Sequence, residues 1–458
     1  VPDLLQGDAR LEVQFRRANR LSLLGRRAKQ EEALAEARAL AEIQGDQISM
    51  ARAEQALGRL RRSTGRFEEA KRHFEKSLAI SGAIGDRQAE ALATGSLGVV
   101  LQSLSRYAEA RTYSERSLGI SREIGDRRAE ARAEGNIGNV LLSIGRYEDA
   151  KRQYERSLAI SREIGDRQAE AIATGNLGSV FISLGRYEEA RAHFEQSLAI
   201  SREVGDRQTE ASATGNLGNV LCSLARYEEA KKHQERHIAV SREIGDRQAE
   251  GIATGNLGNV LFSLARHEEA RAHFERSLAI CREVGDRWGE GYALFSLASV
   301  VHEGAGGDRA LPLADEALAL RREMGHAEGV ADSLVQLGEL HLREGSDDRG
   351  LEALREAVDL LRTQSRGTEL AWALALLACL PGGGVEPALA ALRDAGDSGS
   401  TPQVRFFLWR ATQDPIHLEE AKRLLDDRIE HAPEENRESM RNNVRLNREI
   451  MEAWERHG

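Results

Sequence analysis

A chain of 458 residues would ordinarily divide into about three globular domains, but Ala, Leu, Glu and Arg dominate here and Pro and aromatics are few, the composition of an all-helical protein rather than a disordered one. The net charge of −10 comes from acids and bases that interleave, leaving no basic stripe of the kind that DNA or RNA binding requires. Cys222, Cys281 and Cys379 are isolated, which excludes a disulfide framework or zinc ribbon and fits a reducing cytoplasm. No apolar run reaches the length of a membrane span and no signal peptide opens the chain; it begins at Val1 rather than Met, so an excised portion of a longer protein is expected.

Residues 1–44 read as a degenerate helical hairpin, with Leu21, Leu23 and Leu24 leading to Gly25-Arg26 and Ala33, Ala37 and Leu40 following. From Gly45 the chain repeats itself. Gly-Asp pairs stand at Gly45/Asp46, Gly85/Asp86, Gly125/Asp126, Gly165/Asp166, Gly205/Asp206, Gly245/Asp246 and Gly285/Asp286, a constant interval that marks a stacked repeat array. Residues 45–284 hold six close copies. In the copy that starts at Asp166, Ala173, Leu177, Val180, Phe181 and Leu184 share one side of a first helix, and Tyr187, Ala190, Phe194, Leu198 and Ile200 mark a second. Asp166 is placed to cap the first helix, and Gly185 and Gly205 to end the two in turn. With almost no linker, neighbouring hairpins must stack.

Residues 285–364 form two divergent hairpins in the same phase, with a loosened turn at Gly304 to Gly307 and Pro312 expected in the first turn of a helix. Residues 365–458 lose the spacing. Helices are expected over Glu369–Leu380 and Pro387–Asp394, then a hairpin of Val404–Trp409 with Leu418–Ile429. A final helix from Pro433 to about Trp454 would cover the face that a further repeat would have covered.

The run Asn176-Leu177-Gly178 with Phe181, Ala190, Phe194 and Ser197 resembles the tetratricopeptide repeat, over roughly Gly45 to Arg362. Two departures are clear: Thr174 stands where Trp is common, and the period is six residues longer than the usual thirty-four. The longer form resembles the Leu-Gly-Asn repeats of Pins-type scaffolds and of kinesin light chains, whose tripeptide recurs at Leu217-Gly218-Asn219 and Leu257-Gly258-Asn259. The resemblance implies an all-α solenoid, a right-handed superhelix of about ten hairpins with a C-terminal cap, that grips peptides in a concave groove. It also suggests the repeat region of a bacterial multidomain signalling protein.

Gly175 and Gly178 lie within a helix, each at a cost of about 1 kcal/mol relative to Ala. Close approach of the paired helix explains Gly178. Gly135, Gly175, Gly215 and Gly255 are expected to open helix backbone to a visitor in the groove. Asn136, Asn176, Asn216 and Asn256 would line it, with Asn139, Ser179, Asn219 and Asn259 one turn further on, because an amide both donates to and accepts from a main chain. The plainer reading is repeat copying on a hydrated face. His73, His193, His233 and His273 stand a hairpin apart, with Tyr113 and Gln153 at the matching places, and are read as structural, with no metal. The arginines after each capping Asp are read as solvated faces and inter-repeat pairs. Phosphate-loop, HExxH, GxSxG and kinase constellations are absent, so no cofactor and no catalysis are expected. A protein or peptide partner is expected, with no nucleic acid and no membrane insertion. A peptide-gated sensor and a structural spacer or self-associating unit stand as alternatives.

Overall fold

The computed structural model describes residues 8–23, 26–305, 307–364, 366–430 and 434–457. Among these there are twenty-four α-helices and no strand. The degenerate hairpin is α1 (Asp8–Leu23) with α2 (Arg27–Gln44); the expected turn at Leu24-Gly25 lies outside the described residues. Six hairpins follow: α3 (Gln47–Ser63) with α4 (Phe67–Ile84), α5 (Arg87–Ser103) with α6 (Tyr107–Glu123), α7 (Arg127–Ser143) with α8 (Tyr147–Glu163), α9 (Arg167–Ser183) with α10 (Tyr187–Glu203), α11 (Arg207–Ser223) with α12 (Tyr227–Ile244), and α13 (Arg247–Ser263) with α14 (His267–Val284). Two more are α15 (Arg287–Ala305) with α16 (Gly307–Glu323) and α17 (Ala327–Arg343) with α18 (Asp347–Gln364).

The local chemistry that sets one hairpin is visible at α9 and α10. The Asp166 carboxylate accepts from the Ala169 N–H at 3.1 Å, satisfying a donor that the helix start leaves without a partner. At the other end Gly185 takes φ +70°, which turns the chain so that the Arg186 N–H donates to the Phe181 carbonyl at 2.8 Å. Three copies make the same left-handed turn without glycine, at Ser105, Ala225 and Ala265. Between the helices, a Cβ on Gly178 would stand 2.9 Å from the Phe194 ring, and one on Gly138 would stand 2.6 Å from that of Tyr154. Both helix pairs close on the bare backbone, which offsets the propensity that each glycine forfeits. A serine of the second helix adds a hydrogen bond: Ser117 Oγ donates to the Ala91 carbonyl and Ser197 Oγ to that of Ala171, both at 2.8 Å.

The C-terminal segment departs from the repeat. It comprises α19 (Gly367–Ala378), α20 (Val385–Ala395), a 3-10 turn over Gly396–Gly399, α21 (Pro402–Thr412), α22 (Pro415–Glu430), α23 (Glu434–Asn443) and α24 (Arg445–His457). The single final helix expected from Pro433 is two helices, interrupted at Val444; Pro433 itself lies outside the described residues. Pro312 falls a turn deeper in α16 than expected, because that helix begins at Gly307.

Two compact units are distinguishable. Unit 1 comprises residues 1–217, 236–251 and 279–288; unit 2 comprises residues 218–235, 252–278 and 289–458. Unit 1 contains a long-range link. Arg27 at the start of α2 donates from Nη2 to Gln248 Oε1 in α13 at 3.0 Å, with the carboxylates of Asp246 and Asp286 nearby.

Candidate functional site

Each first helix carries an arc away from its packed side. In α9 it runs through Ile172, Asn176, Ser179 and Ser183: Ile172 and Ser183 are exposed, Asn176 and Ser179 half-buried. The arc residues of unit 1 include Asn136, Asn139, Asn176, Ser179 and Asn216. The side chains of Asn136, Asn176 and Asn216 form no hydrogen bond with the rest of the protein and stay half-buried, whereas Asn139 Oδ1 accepts from the Tyr154 hydroxyl at 2.6 Å. Ser179 Oγ turns back to the Gly175 carbonyl at 3.4 Å. Neighbouring arcs are also stitched together, Gln55 Nε2 donating to Ser96 Oγ at 2.6 Å and Gln102 Nε2 to Ser143 Oγ at 2.8 Å.

The glycines beside the asparagines do a different job from the one expected. A Cβ on Gly175 would lie 3.3 Å from Ser197 Oγ, on Gly255 3.1 Å from Ser277 Oγ, and on Gly135 3.8 Å from Ser157 Oγ; on Gly215 it would overlap the His237 ring at 2.4 Å. These glycines face the second helix of their own hairpin and make room for it, so the expectation that they open the backbone to a visitor is corrected.

Unit 1 contains two cavities on first-helix surfaces that share Arg59. One, of about 460 Å³, has Ile48, Ala51, Ala89 and Leu92 as its apolar lining and Arg52, Arg59, Arg128 and Arg132 as its cationic one, with the capping Asp86 and Asp126 at its edge. The other, of about 350 Å³, adds Arg62, Gln30, Gln208 and the Arg27–Gln248 link. Arg52 pairs with Glu12 at 2.8 Å and Arg128 with Asp166 at 2.6 Å. Arg59, Arg62 and Arg132 form no ion pair. Their side chains reach water, yet the surrounding protein lowers the pKa of all three, and Arg59 also feels the charges of Arg62 and Arg52. The Asp126 carboxylate acts on Arg132 without forming an ion pair, and all three guanidiniums present forked donors suited to carboxylates. Sequence reasoning missed them because it followed what the copies share. Their signal is a departure from the repeat: Arg132, like Arg52, stands where other copies carry Leu92, Ile172, Ser212 and Ile252, and Arg59 where they carry Val99, Asn139, Ser179, Asn219 and Asn259.

In unit 2 the expected asparagines have partners or neighbours of another kind. Asn219 Oδ1 accepts from Gln234 Nε2 at 2.9 Å and Asn259 Nδ2 donates to the Tyr292 hydroxyl at 2.7 Å, while Asn256 is half-buried. Further along, the arc is covered by the chain itself. Arg445 N–H donates to Glu303 Oε2 at 2.7 Å and Glu449 pairs with Arg343 at 2.8 Å, so α24 lies on the first helices α15 and α17. The expectation that the last helix would cover the place of a further repeat is corrected accordingly. Charged ends on α24 find complementary charges on the arc there.

The histidines stand apart. His73 Nδ1 is 2.6 Å from Glu54 Oε2, and His193 packs on Phe181 with ring centroids 4.8 Å apart. Among the described residues no group of three or more His, Cys, Asp or Glu side chains is placed to hold a metal, and no helix is long and apolar enough to cross a membrane.

Comparison with curated proteins finds no match. Among solved structures, the chain is similar to a Rap protein complexed with Competence and Sporulation Factor, with 14% identity, a TM-score of 0.54, and coverage of 78% of this chain and 98% of that one. The apo quorum sensor NprR from B. thuringiensis gives 15% identity, a TM-score of 0.49 and coverage of 76% and 98%, and aspartyl phosphate phosphatase F from Bacillus subtilis gives 12%, 0.48, 78% and 95%. The family model described as Anaphase-promoting complex subunit 5 matches residues 322–382. Models of the tetratricopeptide repeat match residues 55–88, 89–163, 168–243 and 248–323. These matches span more than half of the 458 residues and fall on the hairpins whose glycine and ring contacts are described above, and the chain belongs to the tetratricopeptide-repeat superfamily.

Proposed function

We propose that the chain is a binding module, not an enzyme, and that unit 1 captures an extended segment of a partner protein along its first-helix arcs. The carrying observation is that Arg59 and Arg132, which form no ion pair, share a cavity with the exposed Ile48 and the half-buried Leu92, while Arg62, also without an ion pair, joins Arg59 in the second cavity. A peptide with an acidic side chain would neutralise the guanidiniums, and an aliphatic neighbour would cover Ile48 and Leu92. Asn136, Asn176 and Asn216, whose amides have no internal partner, then supply donors and acceptors to the peptide main chain with little demand on its sequence. The Rap protein of similar fold, solved with Competence and Sporulation Factor, agrees with capture of a ligand by stacked hairpins. A regulatory role within a cytoplasmic signalling protein fits this reading.

Selection of random linear peptides on the protein tests it. Enrichment of sequences that join Asp or Glu to aliphatic residues is expected, and the double variant Arg59→Glu/Arg132→Glu should lose it while its circular dichroism stays helical. Equal enrichment on the variant, or none on either protein, counts against the proposal.

A further inference from the structure

The cavity of about 350 Å³ in unit 1 is lined by Asn19 of α1, Arg27 of α2, Arg59 and Arg62 of α3, and Gln208 and Gln248 of α11 and α13. Among its described lining residues the one carboxylate is Asp246, so the three arginines leave two positive charges over. Arg27 is already engaged. It donates to Ser22 Oγ at 3.1 Å, to Gln30 Oε1 at 3.2 Å and to Gln248 Oε1 at 3.0 Å, with Asp246 and Asp286 acting on its charge. The surplus therefore sits on Arg59 and Arg62.

These two stand three positions apart on α3, which puts their Cβ atoms about 5–6 Å from each other on one face of the helix. Both are exposed and neither forms an ion pair. The protein around Arg59 opposes its charge, and the like charges of Arg62 and Arg52 add to that opposition. The other five close copies carry uncharged residues at both places, with Gln102, Leu142, Ile182, Cys222 and Phe262 at that of Arg62. Two like charges kept side by side in one copy, with no internal partner, call for a counter-charge from outside.

The chemistry of that counter-charge follows from the count. A carboxylate brings one negative charge and two oxygens, which a single guanidinium fork satisfies. A phosphate monoester carries about −1.5 to −2 at pH 7 and three acceptor oxygens, enough for two forks and two positive charges at once. The Asn19 and Gln208 amides can turn further N–H groups to the same place, and the volume falls within the roughly 300–1,000 Å³ of small-ligand pockets. We propose that this cavity binds a dianionic phosphate group, carried by a small free phosphate compound or by a phosphorylated side chain of the captured segment. In the second case it rests on the peptide reading above and names the group that Arg59 and Arg62 receive; in the first it stands alone.

Calorimetric titration of the full chain with inorganic phosphate, pyrophosphate and acetate at a fixed ionic strength of about 0.15 M tests the free source. Selection from two peptide libraries that differ only in a fixed central serine or phosphoserine tests the other. Saturable binding of phosphate or pyrophosphate with Kd of about 1 mM or tighter, or at least about tenfold enrichment of the phosphoserine library over its partner, supports the proposal and tells the two sources apart. Arg59→Asn and Arg62→Leu, which install the residues found at Asn139 and Leu142, should each weaken that binding about tenfold. Neither should lower the thermal midpoint of the free protein, because each removes one of two like charges, and this separates lost binding from lost fold. No saturation by either phosphate probe up to about 10 mM together with equal capture of both libraries overturns the proposal, as does acetate that binds as tightly as phosphate, or binding that both variants leave unchanged. Enrichment of unphosphorylated acidic peptides alongside such a failure sinks the phosphate site alone, and phosphate binding without any peptide capture sinks only the peptide reading.

Discussion

Arg162, near the end of one repeat, donates from Nε to Oε1 of Glu170 in the next at 2.8 Å, and Arg167 closes on the other oxygen of the same carboxylate. Arg122 with Glu130, Arg202 with Glu210 and Arg242 with Glu250 repeat the contact. Burial works to raise the pKa of Glu170, but the hydrogen bonds from Arg162 and Arg167 outweigh it and hold the carboxyl below its ordinary value. A depressed carboxylate contributes stability that is present above its unfolded pKa and is lost as pH falls. Glu170→Gln should cost about 1–2 kcal/mol at neutral pH and less in acid, as read by urea titration at a series of pH values.

His237 interrupts a different series. The other copies place Ser77, Ser117, Ser157, Ser197 and Ser277 there, and the histidine fits only because Gly215 lacks a Cβ. Burial lowers its pKa to about 4, against a weaker opposing pull from Asp246. The folded state therefore binds this proton less readily than the unfolded one, and stability falls as pH drops from about 6.5 toward 4, by roughly 3 kcal/mol in total. His237→Ser should remove that acid sensitivity and restore the hydroxyl-to-carbonyl bond of its neighbours, seen as a flatter profile of thermal midpoint against pH.

Glu134 is the opposite case. It is fully buried where four other copies carry Thr94, Thr174, Thr214 and Thr254 and the first carries Glu54, and burial raises its pKa despite the pull of Arg122 and Arg156. A raised carboxyl pKa gives stability at low pH that is lost as pH rises through the folded value. Glu134→Thr should stabilise the protein at pH 7 by about 1 kcal/mol and gain less below pH 4, where the acid is protonated in both states.

Ala225 and Ala265 hold φ of 56° and 55° at turns where Gly145 and Gly185 hold 73° and 70°. The left-handed region strains a Cβ by about 1–2 kcal/mol, partly offset by the greater freedom of glycine in the unfolded chain. Ala225→Gly and Ala265→Gly should each stabilise by about 0.5–1 kcal/mol, additively, as measured by thermal unfolding.

Legibility in the sequence follows the repeat. The Asp166 cap, the Gly185 turn and the Gly178 contact depend on residues within one hairpin, so forty residues suffice to read them. Gly175 was harder, because the side that its missing Cβ would face is set by how the two helices cross. The partners of Asn139, Asn219 and Asn259 are Tyr154, Gln234 and Tyr292, residue types that vary from copy to copy and leave no periodic trace. Arg59 and Arg132 were hidden for a related reason, being exceptions to the pattern that identified the fold. The landing of α24 on Glu303 and Arg343 is a contact between segments that share no spacing, and nothing local encodes it.

The link from Arg27 to Gln248 spans 221 positions and so passes over whole copies of the repeat. The junctions that Arg122, Arg162, Arg202 and Arg242 make with the next copy repeat one ion pair, so one of those units could be lost or duplicated with that contact re-formed. The Arg27 guanidinium, however, meets its amide only when the intervening modules are right in number. A single bond thereby acts as a tally, holding the array to one length although its parts would tolerate many.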